Sequence, residues 1–396
     1  MDKYIDDIES YPDTAVVFGE NCLLEFENLM RHCTPAKIVA FTGKSSVEAN
    51  GAWGRFLKAA ALLDAAVVRY SQIEPEPCIE TVEAMVDLLE NEAPDQVVAI
   101  GGGSIMDAAK AAFLVYQGGG SVSNYFGVNR FSENNPGVKL RKVICFPTTS
   151  GTGSEVTPYA NVVDNRMMVK KLIVEKEIIP AYSFVCPSFA NSMPPHVTLA
   201  TGCDALAHSI EGFLNVGQDS SYPPTNHWAL ESINLTVNNL PLVLKDSHDR
   251  QARAAMAAAA TLGGMVIRYK PTGLPHLCSF SWFGKIEHGV AVAMLLPHAW
   301  NYYIQNPAVQ ERTMLLNNIF PGITPAGVIQ SYRDFLDSVG VPKSLQAFEG
   351  ITPELLEQTA ASAGQNKMKL ELAPHPVPLD QSKAILGDIL KQAWQG

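Results

Sequence analysis

VVAIGGGSIMDAAK, residues 97–110, starts as an apolar β-branched run, breaks at three glycines and resumes with helical spacing. The run predicts a buried strand, and the helical pattern continues as IMDAAKAAFLVY to residue 116. Glycines at such a junction let the backbone approach a pyrophosphate, whose charge the N–H groups at the helix start favour. Gly102 and Gly103 are the candidate contacts, with Ser104 and Asp107 placed to cap the helix. The spacing is not the common G-x-G-x-x-G fingerprint. The rest of the chain must decide between a nucleotide loop and a tight turn.

On both sides the pattern repeats. KIVAF (37–41), AAVVRY (65–70) and VICF at the head of 143–155 read as strands, and ETVEAMVDLLENE (80–92) reads as a helix. Strand–helix alternation predicts an α/β unit with a parallel sheet covered on both faces. The stretch PTTSGTGSEVTPYANVVD (147–164) carries Thr148, Thr149, Ser150, Thr152, Ser154 and Thr157 around two glycines. It follows a strand, on the side where parallel sheets bind ligands. Two such loops point to a dinucleotide. A third, FTGKSS (41–46), has Gly43 where many dinucleotide-binding domains carry a ribose-binding acid, followed by Lys44, Ser45 and Ser46. With no carboxylate in that loop and a cation beside two hydroxyls, NADP(H) is expected over NAD(H).

Beyond about Pro187 the character changes. Residues 196–214, 224–244, 249–267 and 288–304 all read as long helices. PSFANSMPP, with three prolines, marks a boundary near 186–194. The expected domains are residues 1–188, α/β and nucleotide-binding, and residues 189–396, helical, with the site in the cleft between them.

The chain of 396 residues has a net charge of −11, which argues against a nucleic-acid or anionic-membrane surface. Its seven cysteines are scattered and form no Cys-x-x-Cys pair, so a reducing compartment is expected. The acidic start MDKYIDDIESYPD has no apolar core of a signal peptide. A cytoplasmic protein is the expectation.

TGCDALAHSIEG (201–212) places Asp204 and His208 at i and i+4, on one helical face among small residues. Downstream, GLPHLCSFSWFGKIEHGVAVAMLLPH (273–298) supplies His276 and His288 in apolar surroundings. Together they would make a site of one carboxylate and three imidazoles. Oxygen and nitrogen donors without thiolate suit Fe(II), Zn(II), Co(II), Mn(II) or Ni(II).

GGGSIMDAAK, PTTSGTGSEVT, MPPHVTLATGCDALAHSIEG and EHGVAVAMLLPH stand in an order that resembles the iron-containing, or group III, alcohol dehydrogenases. That group takes in lactaldehyde reductase and butanol dehydrogenase, and the resemblance covers roughly residues 10–390. It implies a Rossmann-like NAD(P)-binding domain followed by an all-α metal-binding domain, the architecture shared with dehydroquinate synthase. It implies metal ligation, typically of Fe2+, by Asp204, His208, His276 and His288. Cofactor contacts carry over to Gly102, Gly103, Ser104, Asp107, Thr148, Thr149, Thr157 and Lys170, with Lys170 near the nicotinamide. Thr152 lies in the same hydroxyl loop, and Gly43 stands where NAD-preferring relatives have aspartate. The implied reaction is NADPH-preferring interconversion of a small alcohol and its aldehyde, in a homodimer or larger homo-oligomer. Glycerol dehydrogenase-like and dehydroquinate synthase-like chemistry belong to the same superfamily, and a nucleotide- and metal-binding sensor without turnover would keep the same ligands.

The chain departs from the family in three places. Phe280 stands where many relatives have a second histidine near the nicotinamide, which removes a proton relay there. The gap between His276 and His288 is about two residues shorter, and Cys186 precedes Pro187 where relatives have aspartate. Arg268 and Lys270, flanking Tyr269, read first as a solvated turn between two helices; the alternative is a pair that holds an anionic group on a substrate, and Trp282 and Phe283 equally offer an apolar wall.

Overall fold

The computed structural model describes residues 3–396, with strands β1 (Ala15–Phe18), β2 (Lys37–Thr42), β3 (Ala66–Tyr70), β4 (Gln96–Gly101), β5 (Gly127–Val128), β6 (Ile144–Pro147), β7 (Tyr159–Asp164), β8 (Val169–Val174) and β9 (Tyr182–Val185). Six of them lie in the order β1-β9-β6-β4-β2-β3, every pairing parallel. Successive side chains of a strand face opposite ways. Val39 and Phe41 of β2 and Val97 and Ala99 of β4 accordingly enter one core, built with the helices Ile79–Glu92 and Gly103–Gly118. Ile38, Ala40, Val98 and Ile100 enter the other, with Phe26, Met30 and Phe56. Burial on both faces is why these strands read as continuous apolar runs.

A smaller sheet, β5-β8-β7, carries the antiparallel hairpin β7–β8, in which Val163 pairs with Lys170. The sequence reading found neither this hairpin nor β1 and β9. Both hairpin strands mix polar with apolar residues, and β1 and β9 are only four residues long.

The chain divides into two units. The first runs to Pro194 and takes in Ser247–Gly264; the second comprises Pro195–Asp246 and Met265–Gly396. Pro194 lies in the PSFANSMPP stretch, and the first unit also includes a segment from the helical half. That segment is held by close backbone packing: a Cβ on Gly264 would lie 2.6 Å from the Gly153 carbonyl oxygen. In the second unit the helix Pro195–Leu214 buries fifteen of its twenty residues, as its small and apolar composition on all sides requires. No helix among the described residues is long and apolar enough to cross a membrane.

Candidate active site

In the second unit, the helix Pro195–Leu214 presents Asp204 and His208 one turn apart. His276 lies in the short helix Leu274–Ser279, and His288 is the first residue of the helix His288–Tyr303. All three histidines turn Nε2 toward the same atom, Asp204 Oδ1, at 3.5 Å for His208, 3.5 Å for His276 and 3.8 Å for His288. These separations exceed the usual N–H···O range. Ligands about 2.1 Å from one tetrahedral ion sit about 3.4 Å apart. Asp204, His276 and His288 offer ligand atoms all within 4.8 Å of one another, and the His208 ring stacks on that of His276 at 4.7 Å. Asp204 Oδ1 and His276 Nε2 are buried without a hydrogen-bond partner. Buried polar atoms are rarely left unpaired. A shared divalent cation satisfies both, so the donor set fits the metal that the sequence reading expected.

The surroundings prepare the nitrogens. Glu211 Oε1 bonds His276 Nδ1, while its Oε2 accepts from Gly273 N at 2.7 Å. In the neutral ring, carboxylate on Nδ1 keeps the proton there and leaves the lone pair on Nε2. Ser279 Oγ donates to the His276 carbonyl at 2.9 Å and so accepts from His288 Nδ1 at 3.2 Å, with the same result. Burial disfavours the Asp204 charge, but the three imidazoles outweigh it and hold the carboxyl below its usual range. Burial pushes His208 down to about 4. Burial also opposes charge on His276, yet Glu211 and Asp204 raise it to about 9. Glu211 was not singled out from sequence, although it is inside the quoted motif at i+3 from His208 and i+7 from Asp204.

Two expectations about the substrate end are corrected. The Lys270 side chain is fully buried, with Nζ on Asp219 Oδ1 and on Asn226 Oδ1 at 2.6 Å, and Arg312 joins it at Asp219. Lys270 is a fixed ion-pair member and is not open to an anionic substrate. Arg268 lies over the Tyr269 ring at 5.2 Å. Trp282 is wholly buried and donates Nε1–H to Thr359 Oγ1 at 2.9 Å, so it forms no wall; Phe283 is half-buried. The Phe280 ring stacks on His288 with centroids 6.2 Å apart.

In the first unit, the glycine turn and the hydroxyl loop meet at the C-terminal ends of β4 and β6. Gly101 pairs with Pro147, and Thr148 N donates to Gly101 O at 3.0 Å. A Cβ on Gly102 would stand 3.1 Å from the Thr149 side chain, and one on Gly103 2.6 Å from Thr152. The helix Gly103–Gly118 starts at Gly102 with no side-chain cap, so the expected capping by Ser104 and Asp107 does not occur. Ser104 Oγ accepts from Glu76 N at 3.1 Å. Asp107 accepts from Ser154 Oγ and from Asn161 N and Nδ2, and Lys110, fully buried, donates to Ser154 O and Thr157 O at 2.9 and 3.3 Å. These two residues pin the hydroxyl loop from beneath. Lys170 on β8 bonds Glu76 Oε1 at 2.7 Å. An uncapped helix start beside backbone-lined glycines and hydroxyls fits a pyrophosphate.

Gly43 follows Thr42, which pairs with Ile100 beside the glycine turn. Lys44, Ser45 and Ser46 are exposed there. The structure adds two groups that the sequence reading did not place at this loop. Arg69 of β3 donates Nε to Thr42 Oγ1 at 2.8 Å and Nη2 to the carbonyls of Gly43 and Lys44, each at 3.0 Å. Its Nη1 pairs with Glu48. The loop therefore does have a carboxylate neighbour, against the expectation.

Comparison with known proteins agrees across both units. The profile described as iron-containing alcohol dehydrogenase matches residues 13–187, and its C-terminal counterpart matches 198–390. Alcohol dehydrogenase 4 of Saccharomyces cerevisiae is 29% identical over 96% of each chain. The NAD-dependent methanol dehydrogenase of Bacillus methanolicus is 32% identical over 76% of this chain and 78% of its own. Among solved structures, an alcohol dehydrogenase from Oenococcus oeni superposes with a TM-score of 0.86 at 26% identity, covering 96% of this chain and 98% of that one.

Proposed function

The chain belongs to the iron-containing alcohol dehydrogenase family, and on that premise we propose that it interconverts a small primary alcohol and its aldehyde. From the loop at residues 43–46 alone we further propose that it uses NADP(H) in preference to NAD(H). The observation that carries the reading is the convergence of three imidazole nitrogens on the unpartnered Asp204 Oδ1. Asp204, His208, His276 and His288 would hold the metal. A divalent ion on such donors supplies Lewis acidity toward an alcohol or carbonyl oxygen.

The protein's own residues do the preparing. Glu211 and Ser279 fix the two Nδ1 tautomers, so His276 and His288 need no reorientation to ligate. Phe280 excludes water beside His288 and has no exchangeable proton, so no relay passes through that position. The glycine turn and Thr148–Thr157 would hold the dinucleotide, with Lys110 and Asp107 keeping the loop in place. Lys44 supports the NADP(H) preference, as does Gly43, which brings no carboxylate of its own to repel a 2′-phosphate.

The test is reduction of a panel of aldehydes by NADPH and NADH, after removal of metal and reloading with Fe(II) or Zn(II) without oxygen. Metal-dependent turnover favouring NADPH is expected. His276→Ala should lose metal and turnover while keeping NADPH affinity. Gly43→Asp, whose new Cβ meets only the movable Ser46 hydroxyl, should shift preference toward NADH. Metal-independent turnover, or full activity in His276→Ala, would overturn the assignment.

A further inference from the structure

We propose that the Arg69–Glu48 ion pair determines selectivity between a ribose 2′-hydroxyl and a 2′-phosphate; the inference rests on the dinucleotide reading of the first unit. Arg69 sits on β3, level with Ala40 of β2, and its guanidinium crosses to the loop after β2. Three of its N–H groups are committed to Thr42 Oγ1 and the carbonyls of Gly43 and Lys44. The plane lies over the Trp53 ring at 4.6 Å, which fixes its orientation. Arg69 therefore shapes the loop and cannot leave it. Its remaining Nη1 edge faces Glu48.

That last contact differs from the others. The Arg69 side chain is 22% exposed and the Glu48 side chain 47%, so the pair is open to solvent and contributes little to stability. A guanidinium edge occupied by a weakly held carboxylate can accept phosphate, which bonds arginine more strongly than a neutral group does. A 2′-phosphate at Gly43 would meet Lys44 and the Nη1 edge, and Glu48 would compete with it for that edge. A 2′-hydroxyl carries no charge and does not compete. Glu48 is thus the residue that limits the affinity for phosphorylated cofactor, and Arg69 is the seat it guards.

The test uses two adenine nucleotides that need neither the metal nor turnover. Binding of 5′-ADP and 2′,5′-ADP to the full chain is measured by calorimetry for the wild type, Glu48→Gln and Glu48→Asp. Glu48→Gln should tighten 2′,5′-ADP about tenfold, as removal of one like charge near a phosphate predicts, and leave 5′-ADP unchanged. The gain should shrink at high salt, and Glu48→Asp, which keeps the charge, should stay near the wild type. Equal changes for both nucleotides, or no change for either, would overturn the proposal while leaving the dinucleotide reading standing. Binding of neither nucleotide by any of the three proteins would overturn both.

Discussion

Gly289 tests the metal-centre reading through packing alone, without replacing a ligand. It follows His288 at the start of the helix His288–Tyr303, against the helix that bears Asp204. A Cβ there would lie 1.9 Å from the Ala200 carbonyl oxygen and 2.9 Å from Asp204 Cβ. Carbon–oxygen contact begins at about 3.3 Å, so Gly289→Ala forces the two backbones apart by about 1.4 Å. Neither neighbour is a flexible side-chain end that can swing aside. Overpacking of this kind costs about 1–3 kcal/mol. The larger consequence is local, because metal sites hold their ligand distances to about 0.2 Å. A shift several times that size between His288 and Asp204 removes one ligand. The assay is competition for Zn(II) against a chromophoric chelator, with thermal unfolding alongside. Affinity should fall at least tenfold, and Tm should drop by several degrees, at about 2–4 °C per kcal/mol. A Gly289→Ala protein with wild-type Zn(II) affinity would refute the placement of His288 and Asp204 on one ion.

Three further outcomes follow from the same geometry. Glu211→Gln has one acceptor oxygen for the two donors His276 Nδ1 and Gly273 N, so metal affinity should fall 10–100-fold; chelator competition reads this, and unchanged affinity would remove Glu211 from a positioning role. In the metal-free protein the His276 pKa is raised from 6.5 to about 9, so its contribution to stability is full below 6.5 and is lost as pH rises through 9. Metal must displace that proton, so Zn(II) affinity should rise across the same window, with a proton released on binding; affinity flat from pH 6 to 9 would contradict this. Lys270→Met keeps the volume but breaks the contact with Asp219, which retains Arg312, so urea unfolding should show a loss of about 2 kcal/mol. The KM for aldehydes bearing a carboxylate should not change, and a raised KM at unaltered stability would restore the anion-binding reading of Lys270.

The strands β2, β4 and β6 and the long helices were legible because each carries its signal within a few residues. β2 and β4 are buried on both faces and leave unbroken apolar runs. Asp204 and His208 share a helical face, which spacing reveals directly. β1 and β9, four residues each, left too short a run, and β7–β8 has partly exposed polar positions that resemble a loop. The helix N-terminus at Gly102 was read as capped because Ser104 and Asp107 are good capping types. Both are drawn off by partners distant in sequence, Glu76 and Ser154.

That contrast separates two lysines near candidate sites. Lys44 is expected to hold a 2′-phosphate, whereas Lys270 reads either as a cation for an anionic substrate or as part of a solvated turn. What a cation can do depends on whether a carboxylate already holds it, and the deciding partner lies far along the chain. Asp219 is 51 residues from Lys270 and buries it in a closed pair. At the other site the engaged cation is Arg69, paired with Glu48 from 21 residues away in a solvent-open contact, while Lys44 stays exposed. Glu211 reaches His276 across 65 residues in the same manner. Ligand types with local spacing are therefore written in the sequence, and the charge state in which they work is written by the fold. The substitutions at Glu48, Glu211 and Lys270 all act on that second level, each removing one member of a long-range pair while the four candidate metal ligands and the glycine and hydroxyl loops stay unchanged.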